Sequence, residues 1–256
     1  MKRHSRLILS DLHIPFHDKR LLESWFRYLE EYEWAGVDII GDFLDCYTLS
    51  RFDTNPRRKE NIQTELDQGR EILERIRELQ PCTDIRYSEG NHEDRLRKIL
   101  WGTSKALGPL RNLTIPELLG LNDLNITWHR TEEPYKIGGL WYSHGDLLRK
   151  NAGSSARAKG DAMGGSLIMG HTHRMGSCPR TLHTGTYDAY EVGYMADRNK
   201  LDYHRHVLDW QLGWAEVLFV GPVHQVNFFR AVDKGRQRFV VGPEGVEDSW
   251  RTKGNK

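Results

Sequence analysis

The residues of this sequence best suited to chemistry fall in five short motifs. These are Asp11-Leu12-His13, Gly41-Asp42-Phe43-Leu44-Asp45, Gly90-Asn91-His92-Glu93, His144-Gly145-Asp146 and Gly170-His171-Thr172-His173. Their carboxylate, imidazole and amide groups are oxygen and nitrogen donors. With no thiolate among them, they suit manganese, iron, zinc, cobalt or nickel rather than copper(I) or an iron–sulfur cluster. In an extended or loosely turning segment residues i and i+2 point the same way, so Asp11 with His13, and His171 with His173, can each chelate one metal together. A carboxylate has two oxygens, so Asp42 can bridge two cations. Two metals about 3.5–4 Å apart clamp a phosphoryl group and acidify a bridging water, whose hydroxide would be the nucleophile. The glycines before Asp42, Asn91 and His171 let the backbone turn sharply and approach such metals closely.

Each motif follows an apolar stretch that reads as a strand. Arg6–Ser10, Val37–Ile40, Asp84–Tyr87, Leu140–Ser143 and Ser166–Met169 are short buried strands by composition. Between the early ones, Lys19–Tyr32 and Glu60–Leu79 carry apolar residues at helical spacing, Pro81 follows the second of them, and Asp94–Leu100 opens a further helix. Alternation of strand and helix over the first hundred residues implies a parallel sheet flanked by helices. Ligands of such sheets bind beyond the strand C-termini, where the five motifs lie. The second half is mostly β. It has strands at Asn125–Trp128 and Tyr135–Ile137, a Gly138-Gly139 hairpin, a helix at Ser155–Met163, then strands at Trp214–Val220, Val226–Phe229 and Arg238–Val241. Two packed sheets with helices outside account for both halves. Residues 1–243 are expected to form one domain and the polar stretch 244–256 a loose tail.

Composition narrows the classes. The chain of 256 residues has 37 basic against 36 acidic side chains, so bulk charge points to neither nucleic acid nor membrane. Three isolated cysteines, Cys46, Cys82 and Cys178, form no CxxC pair and read as reduced thiols, which with the lack of a long apolar run favours the cytoplasm.

Singly, each motif is weak. A lone His-x-His is more often a surface or satisfied core pair, and a Gly-Asp after a strand is often just a turn. Their joint occurrence in this order carries the reading. The set D-x-H, G-D-x-x-D, G-N-H-E, H-G-D and G-H-T-H, over Leu7–Arg174, resembles the calcineurin-like metallophosphoesterase superfamily in the form common to its bacterial and phage branch. That resemblance implies an α/β fold, a four-layer α-β-β-α double β-sandwich. It implies one metal on Asp11, His13, Asp42 and His173, and a second on Asp42, Asn91, His144 and His171. It also makes His92 the general acid that protonates the leaving oxygen, a role suited to an imidazole. The second motif lacks the arginine of the protein Ser/Thr phosphatases, reading Asp45-Cys46-Tyr47, which argues against that branch.

The expected reaction is therefore hydrolysis of phosphate mono- or diesters of nucleotides or nucleic-acid ends with two divalent ions, manganese foremost. No membrane and no obligate protein partner is expected. A repair-type nuclease and a catalytically weak binding scaffold are the alternatives. Around the centre, Arg95 is a candidate to hold a phosphate oxygen, against the alternative of a solvated helix face, and Arg174 stands likewise. Asp45 can orient a ligand or the His92 ring, and Asp146 a metal-bound histidine. Glu93 reads equally as a helix cap, and His17, Arg149 and Lys150 as surface. His204 and His206 hint weakly at a third metal. Tyr194, Trp210 and Trp214 read as core. If exposed beside the metals, they would instead favour a nucleotide.

Overall fold

The computed structural model describes residues 2–51, 55, 57–201, 209–221 and 223–252. His204 and His206 lie outside them. The first half runs β1 (Lys2–Leu9), α1 (Lys19–Glu31), β2 (Glu33–Ile40), α2 (Ile62–Leu79), β3 (Asp84–Ser88), α3 (Asp94–Gly102), α4 (Ile115–Leu119) and β4 (Ile126–His129). It continues with β5 (Tyr135–Ile137), β6 (Leu140–Ser143), α5 (Ser154–Met163), β7 (Ser166–Met169), β8 (Met175–Ser177), β9 (Arg180–Leu182), β10 (Gly185–Tyr187) and β11 (Ala189–Val192). Four longer strands finish it: β12 (Gly213–Val220), β13 (Val223–Lys234), β14 (Gln237–Gly242) and β15 (Gly245–Arg251).

The strands form an eight-stranded sheet ordered β15-β14-β13-β12-β1-β2-β3-β4 and a five-stranded sheet ordered β5-β6-β7-β11-β8, with β9 and β10 paired apart. Within the first, β1, β2, β3 and β4 are mutually parallel; within the second, β6 and β7 are. Strand alternation shows how the layers stack. Leu7 and Leu9 of β1 and Val37 and Ile39 of β2 pack with Trp25, Phe26, Leu66, Leu73 and Leu119 from α1, α2 and α4. Ile8 and Ile40 face the other way, onto Tyr142, Leu140 and Ile168 of the smaller sheet. Beyond that sheet, Leu167 and Met169 of β7 meet Ala156 of α5. The order is helix, sheet, sheet, helix. Each fully buried aliphatic side chain in these layers contributes about 1.5–3 kcal/mol.

The helices begin where short polar caps allow. Asp18 accepts the N–H groups of Arg20 and Leu21 at the start of α1, and Asn61 that of Thr64 at the start of α2. At the β5–β6 hairpin, Gly138 and Gly139 have φ of 53° and 87°, values that suit glycine. A buried polar cluster crosses the sandwich. Arg6 donates twice to the Asp38 carboxylate, at 2.7 and 2.9 Å, and once to the Asp84 carboxylate at 3.0 Å, while the Tyr135 hydroxyl of the second sheet donates to Asp38 at 2.8 Å.

Two expectations need correction, and some elements were not foreseen. The polar stretch from residue 244 is not a loose tail over Gly245–Arg251. That segment is the edge strand β15, paired antiparallel with β14, because alternate residues Asp248 and Trp250 turn inward. The loop before α4 and the stretch 175–192 hold a 3₁₀ turn at Lys105–Leu107 and four short strands, elements too brief to show a period. His17 is buried, not on the surface. Among the described residues no helix is long and apolar enough to cross a membrane.

Candidate metal centre

Parallel strands bring the five motifs to one edge. Asp11 and His13 follow β1, Asp42 follows β2 and Asn91 follows β3, all on the larger sheet. His144 follows β6, and His171 and His173 follow β7, on the smaller one. The local backbone is unusual. Asp11, His13, Asp42, His171 and His173 all have left-handed φ, between 46° and 67°. Such a conformation in a non-glycine residue costs on the order of 1–3 kcal/mol and persists only where the surroundings enforce it. A Cβ at Gly90 would lie 2.1 Å from Asp42 Oδ1, so that position needs glycine for close approach.

Two groups of donors, one around Asp11 and the other around Asp42, are linked by a third in which His13, Asp42 and His92 meet. In one, Asp11, His13 and His173 converge: His13 Nε2 is 3.0 Å from His173 Nε2, which is 3.2 Å from Asp11 Oδ1. In the other, His144 Nε2 is 3.2 Å from both Asp42 Oδ2 and Asn91 Oδ1, and His171 Nδ1 is 2.7 Å from Asn91 Oδ1. Asp42 reaches His13 as well. The expectation that His171 and His173 chelate one ion together fails. They belong to different groups, because their left-handed backbones turn the two rings apart.

Tautomers test whether a cation fits. His13 Nδ1 lies 3.0 Å from the Asp45 carboxylate, so it carries the proton and Nε2 presents a lone pair. His144 Nδ1 lies 2.9 Å from the Ile40 carbonyl, an acceptor, so its Nε2 is likewise a lone pair unless doubly protonated. His13 Nε2 faces His173 Nε2 at 3.0 Å, and His144 Nε2 faces the Asp42 and Asn91 oxygens at 3.2 Å. Burial works against charge on His144, yet Asp42, its hydrogen bond and Asp11 lift the ring to about 10. Burial works against charge on Asp42 too, and the histidines around it still hold the carboxyl well below its ordinary range. The buried carboxylates Asp11 and Asp42 thus draw positive charge to this cluster, whether from a protonated ring or from a bound cation. The oxygen and nitrogen donor set fits divalent cations.

The buried carboxylates behind the donors hold the loops. Glu93, fully buried, accepts the N–H groups of Asp42, Leu44 and Gly90 at 2.9–3.1 Å and the Tyr87 hydroxyl at 2.8 Å. Its side chain does not cap α3. Glu65 of α2 accepts from the Cys46 and Tyr47 N–H groups at 2.8 and 3.2 Å. Glu191 accepts from Thr172 Oγ1 at 2.8 Å and from the Ser155 N–H at 2.9 Å, fixing the residue between the last two histidines to the start of α5. The sequence reading missed Glu65 and Glu191 altogether. An acid on a helix, such as Glu65, or on a short strand, such as Glu191, reads as solvated until the depth of its element is known.

His92 Nδ1 lies 2.8 Å from the Asp45 carbonyl, and Arg95 Nη2 reaches His92 Nε2 at 3.1 Å. Burial lowers the basicity of His92, but Asp42 and Asp45 raise it above its ordinary value. Arg95 also donates to the Asp45 carbonyl at 2.8 Å, so it belongs to this cluster and not to a solvated face. Asp146 pairs with Lys159 at 2.7 Å, and the Ile40 carbonyl takes the place behind His144. Arg174 turns to the Arg149 carbonyl. Trp214 is core and Tyr194 is buried, stacked on His173 at 5.1 Å. Trp210 is only half buried and packs edge-on to the same ring at 4.3 Å.

No protein-family model matches the chain. It is 28% identical over 224 residues to the Gene 54 protein of Mycobacterium phage L5, covering 82% of this chain and 86% of that protein. It is 26% identical to the Gene 54 protein of Mycobacterium phage D29, covering 81% and 86%. Among solved structures, Vps29 of Chaetomium thermophilum matches with a TM-score of 0.50 at 11% identity, over 98% of this chain and 97% of that one. The chain therefore has the four-layer α-β-β-α fold of the metallo-dependent phosphatases, with His/Asp groups at one sheet edge that can hold metal ions.

Proposed function

We propose that this chain is a dinuclear metal-dependent phosphoesterase acting on phosphate mono- or diesters of nucleotides or nucleic-acid ends. The observation that carries the reading is the convergence of buried carboxylate and imidazole groups, most of them on left-handed backbone, around Asp11 and Asp42. Asp11, His13, Asp42 and His173 would hold one ion, and Asp42, Asn91, His144 and His171 the other. Such a pair, with manganese the first candidate and iron, zinc, nickel or cobalt the others, polarises the phosphoryl group and acidifies an attacking water.

The chain's own residues do the rest. Asp45 fixes the His13 ring through Nδ1, and its carbonyl fixes that of His92. Once Arg95, which donates to His92 Nε2 in this structure, turns to a phosphate oxygen, that nitrogen can take up a proton and give it to the departing oxygen as the phosphorus–oxygen bond breaks. Arg95, 3.1 Å from that nitrogen, is placed to bind a phosphate oxygen. The mycobacteriophage relatives support a phage-encoded enzyme that works in the cytoplasm of a bacterial host. No obligate protein partner is part of this reading.

The test is metal content by mass spectrometry together with turnover of p-nitrophenyl phosphate, its bis ester, cyclic nucleotides and short DNA in the presence of each candidate metal. Two ions per chain and hydrolysis abolished by Asp42→Ala are expected. Unchanged turnover in Asp42→Ala would overturn the mechanism, and no turnover of any ester with any metal would favour a binding scaffold.

A further inference from the structure

The geometry around His92 says which way a product leaves. Its Nδ1 is committed to the Asp45 carbonyl, so a departing oxygen must take its proton from Nε2, on the side where Arg95 Nη2 sits. Arg95 and Asn91 both line a cleft of about 520 Å³ beside the centre. The residues that α3 contributes to it, Arg95, Lys98, Ile99 and Gly102, recur at spacings of three and four and so form one stripe along the helix. Seven residues separate the first from the last, a rise of about 10 Å. The volume falls in the range of sites for whole organic ligands, roughly 300–1,000 Å³. A small alcohol would leave most of it to water.

The lining is of two kinds. Leu49 and Ile99 offer apolar surface for an organic body, whereas Arg51, Arg95 and Lys98 bring positive charge. Among the described residues no carboxylate lines it. Lys98 is paired with Asp94 at 2.6 Å but keeps its ammonium at an exposed position, where an incoming phosphate can compete for it.

We propose that this cleft is the leaving-group subsite and that it selects a nucleotide bearing a further phosphate of its own over a small neutral alcohol. The inference rests on the phosphoesterase reading above and deepens it. In the step it implies, the oxygen of water bonds to phosphorus as the bond to the nucleotide oxygen breaks. That oxygen departs with a proton from His92, and the proton released by water passes to solvent, from which His92 is restored.

Gly102 gives the test. It ends α3, is exposed, and a Cβ built on it meets no atom within 4 Å, so Gly102→Trp fills the cleft without opposing the fold. Calorimetry on protein stripped with EDTA measures binding of thymidine 5′-monophosphate with no catalysis involved. The wild type should bind it, and Gly102→Trp and the double variant Arg51→Ala, Lys98→Ala should bind at least tenfold more weakly, with unchanged melting temperature. With manganese restored, the thymidine dinucleotide carrying a 5′-phosphate should be cleaved with about tenfold higher kcat/KM than the one without it, and both variants should lose that ratio. Failure of the stripped protein to bind the nucleotide, or an intact ratio in both variants, overturns the subsite. Hydrolysis of p-nitrophenyl phosphate with no nucleotide preference sinks the cleft alone. Nucleotide binding without hydrolysis of any ester supports the cleft and sinks the phosphoesterase reading instead.

Discussion

Replacing Glu93 by glutamine should loosen two donor loops at once without changing the volume of the core. The native carboxylate accepts four hydrogen bonds, from the N–H groups of Asp42, Leu44 and Gly90 and from the Tyr87 hydroxyl. Glutamine keeps one oxygen. If that oxygen stays with Leu44 and Tyr87, the new amide N–H₂ faces the N–H groups of Asp42 and Gly90, donor against donor. A hydrogen bond to a charged group is worth roughly 1.5–3 kcal/mol, so the two losses amount to about 3–6 kcal/mol. Part is recovered. Burial and the nearby Asp42 both push the Glu93 carboxyl above its ordinary range, a penalty the neutral amide escapes. A net loss of about 2–4 kcal/mol remains, which for a chain of this size lowers the melting temperature by roughly 5–15 °C. Because Asp42 hangs from this carboxylate, affinity for divalent metal should fall about 10–100-fold, as it does when groups that orient ligands are removed. Circular dichroism melts and calorimetric titration with manganese read both effects, with the exposed Glu78→Gln as control. A Glu93→Gln protein that melts within about 1 °C of wild type and binds manganese equally well would refute the argument.

Three further substitutions separate chemistry from framework. His92→Ala should retain its metals, measured by elemental analysis, and lose about 10²–10⁴-fold in kcat on esters with poor leaving groups. Arg6→Ala strips one partner from the buried pair with Asp38 and should destabilise the fold by about 3–5 kcal/mol in urea titrations. Burial, aided by Asp45, pushes the Glu65 carboxyl from 4.5 up to about 8. A raised folded pKa means that the native state holds the proton longer. Its contribution to stability is therefore complete below about pH 4.5 and is lost as pH climbs through about 8. Melts of Glu65→Gln between pH 5 and 9 should show a flatter decline than wild type, and parallel curves would count against this account of Glu65.

The four layers were legible because each kind of element leaves its own period. Leu21, Leu22, Trp25, Phe26 and Leu29 recur as one helix face, and Leu7, Ile8 and Leu9 are all apolar because that strand is covered on both sides. The residues gathered at the sheet edge were legible for the same reason, each standing just past the end of such a strand. What escaped notice depends on partners distant in sequence. Arg6 looks like an ordinary surface cation until Asp38, 32 residues away, is folded beside it. The group steadying His144 is a carbonyl, that of Ile40, and carbonyls leave no mark on a side-chain pattern, so Asp146 stood in for it. The turn that separates His171 from His173 is set by left-handed φ at both residues, which nothing in their identity announces. In β15, inward-facing Asp248 and Trp250 alternate with polar neighbours too weakly to outweigh the overall polarity of the segment.

The donors come from both halves of the sandwich, four side chains from beyond the larger sheet and three from beyond the smaller. Any ion bound between them is a rivet through the seam. Below it, Ile8 and Ile40 meet Tyr142 and Ile168 across a contact that is apolar and free of direction, the kind that tolerates sliding. The tip has no such freedom once coordinated. Amide protons at the ends of β6 and β7 should then exchange with solvent far more slowly in metal-loaded protein than after chelation, while those of α1, on the outer face, keep their rates.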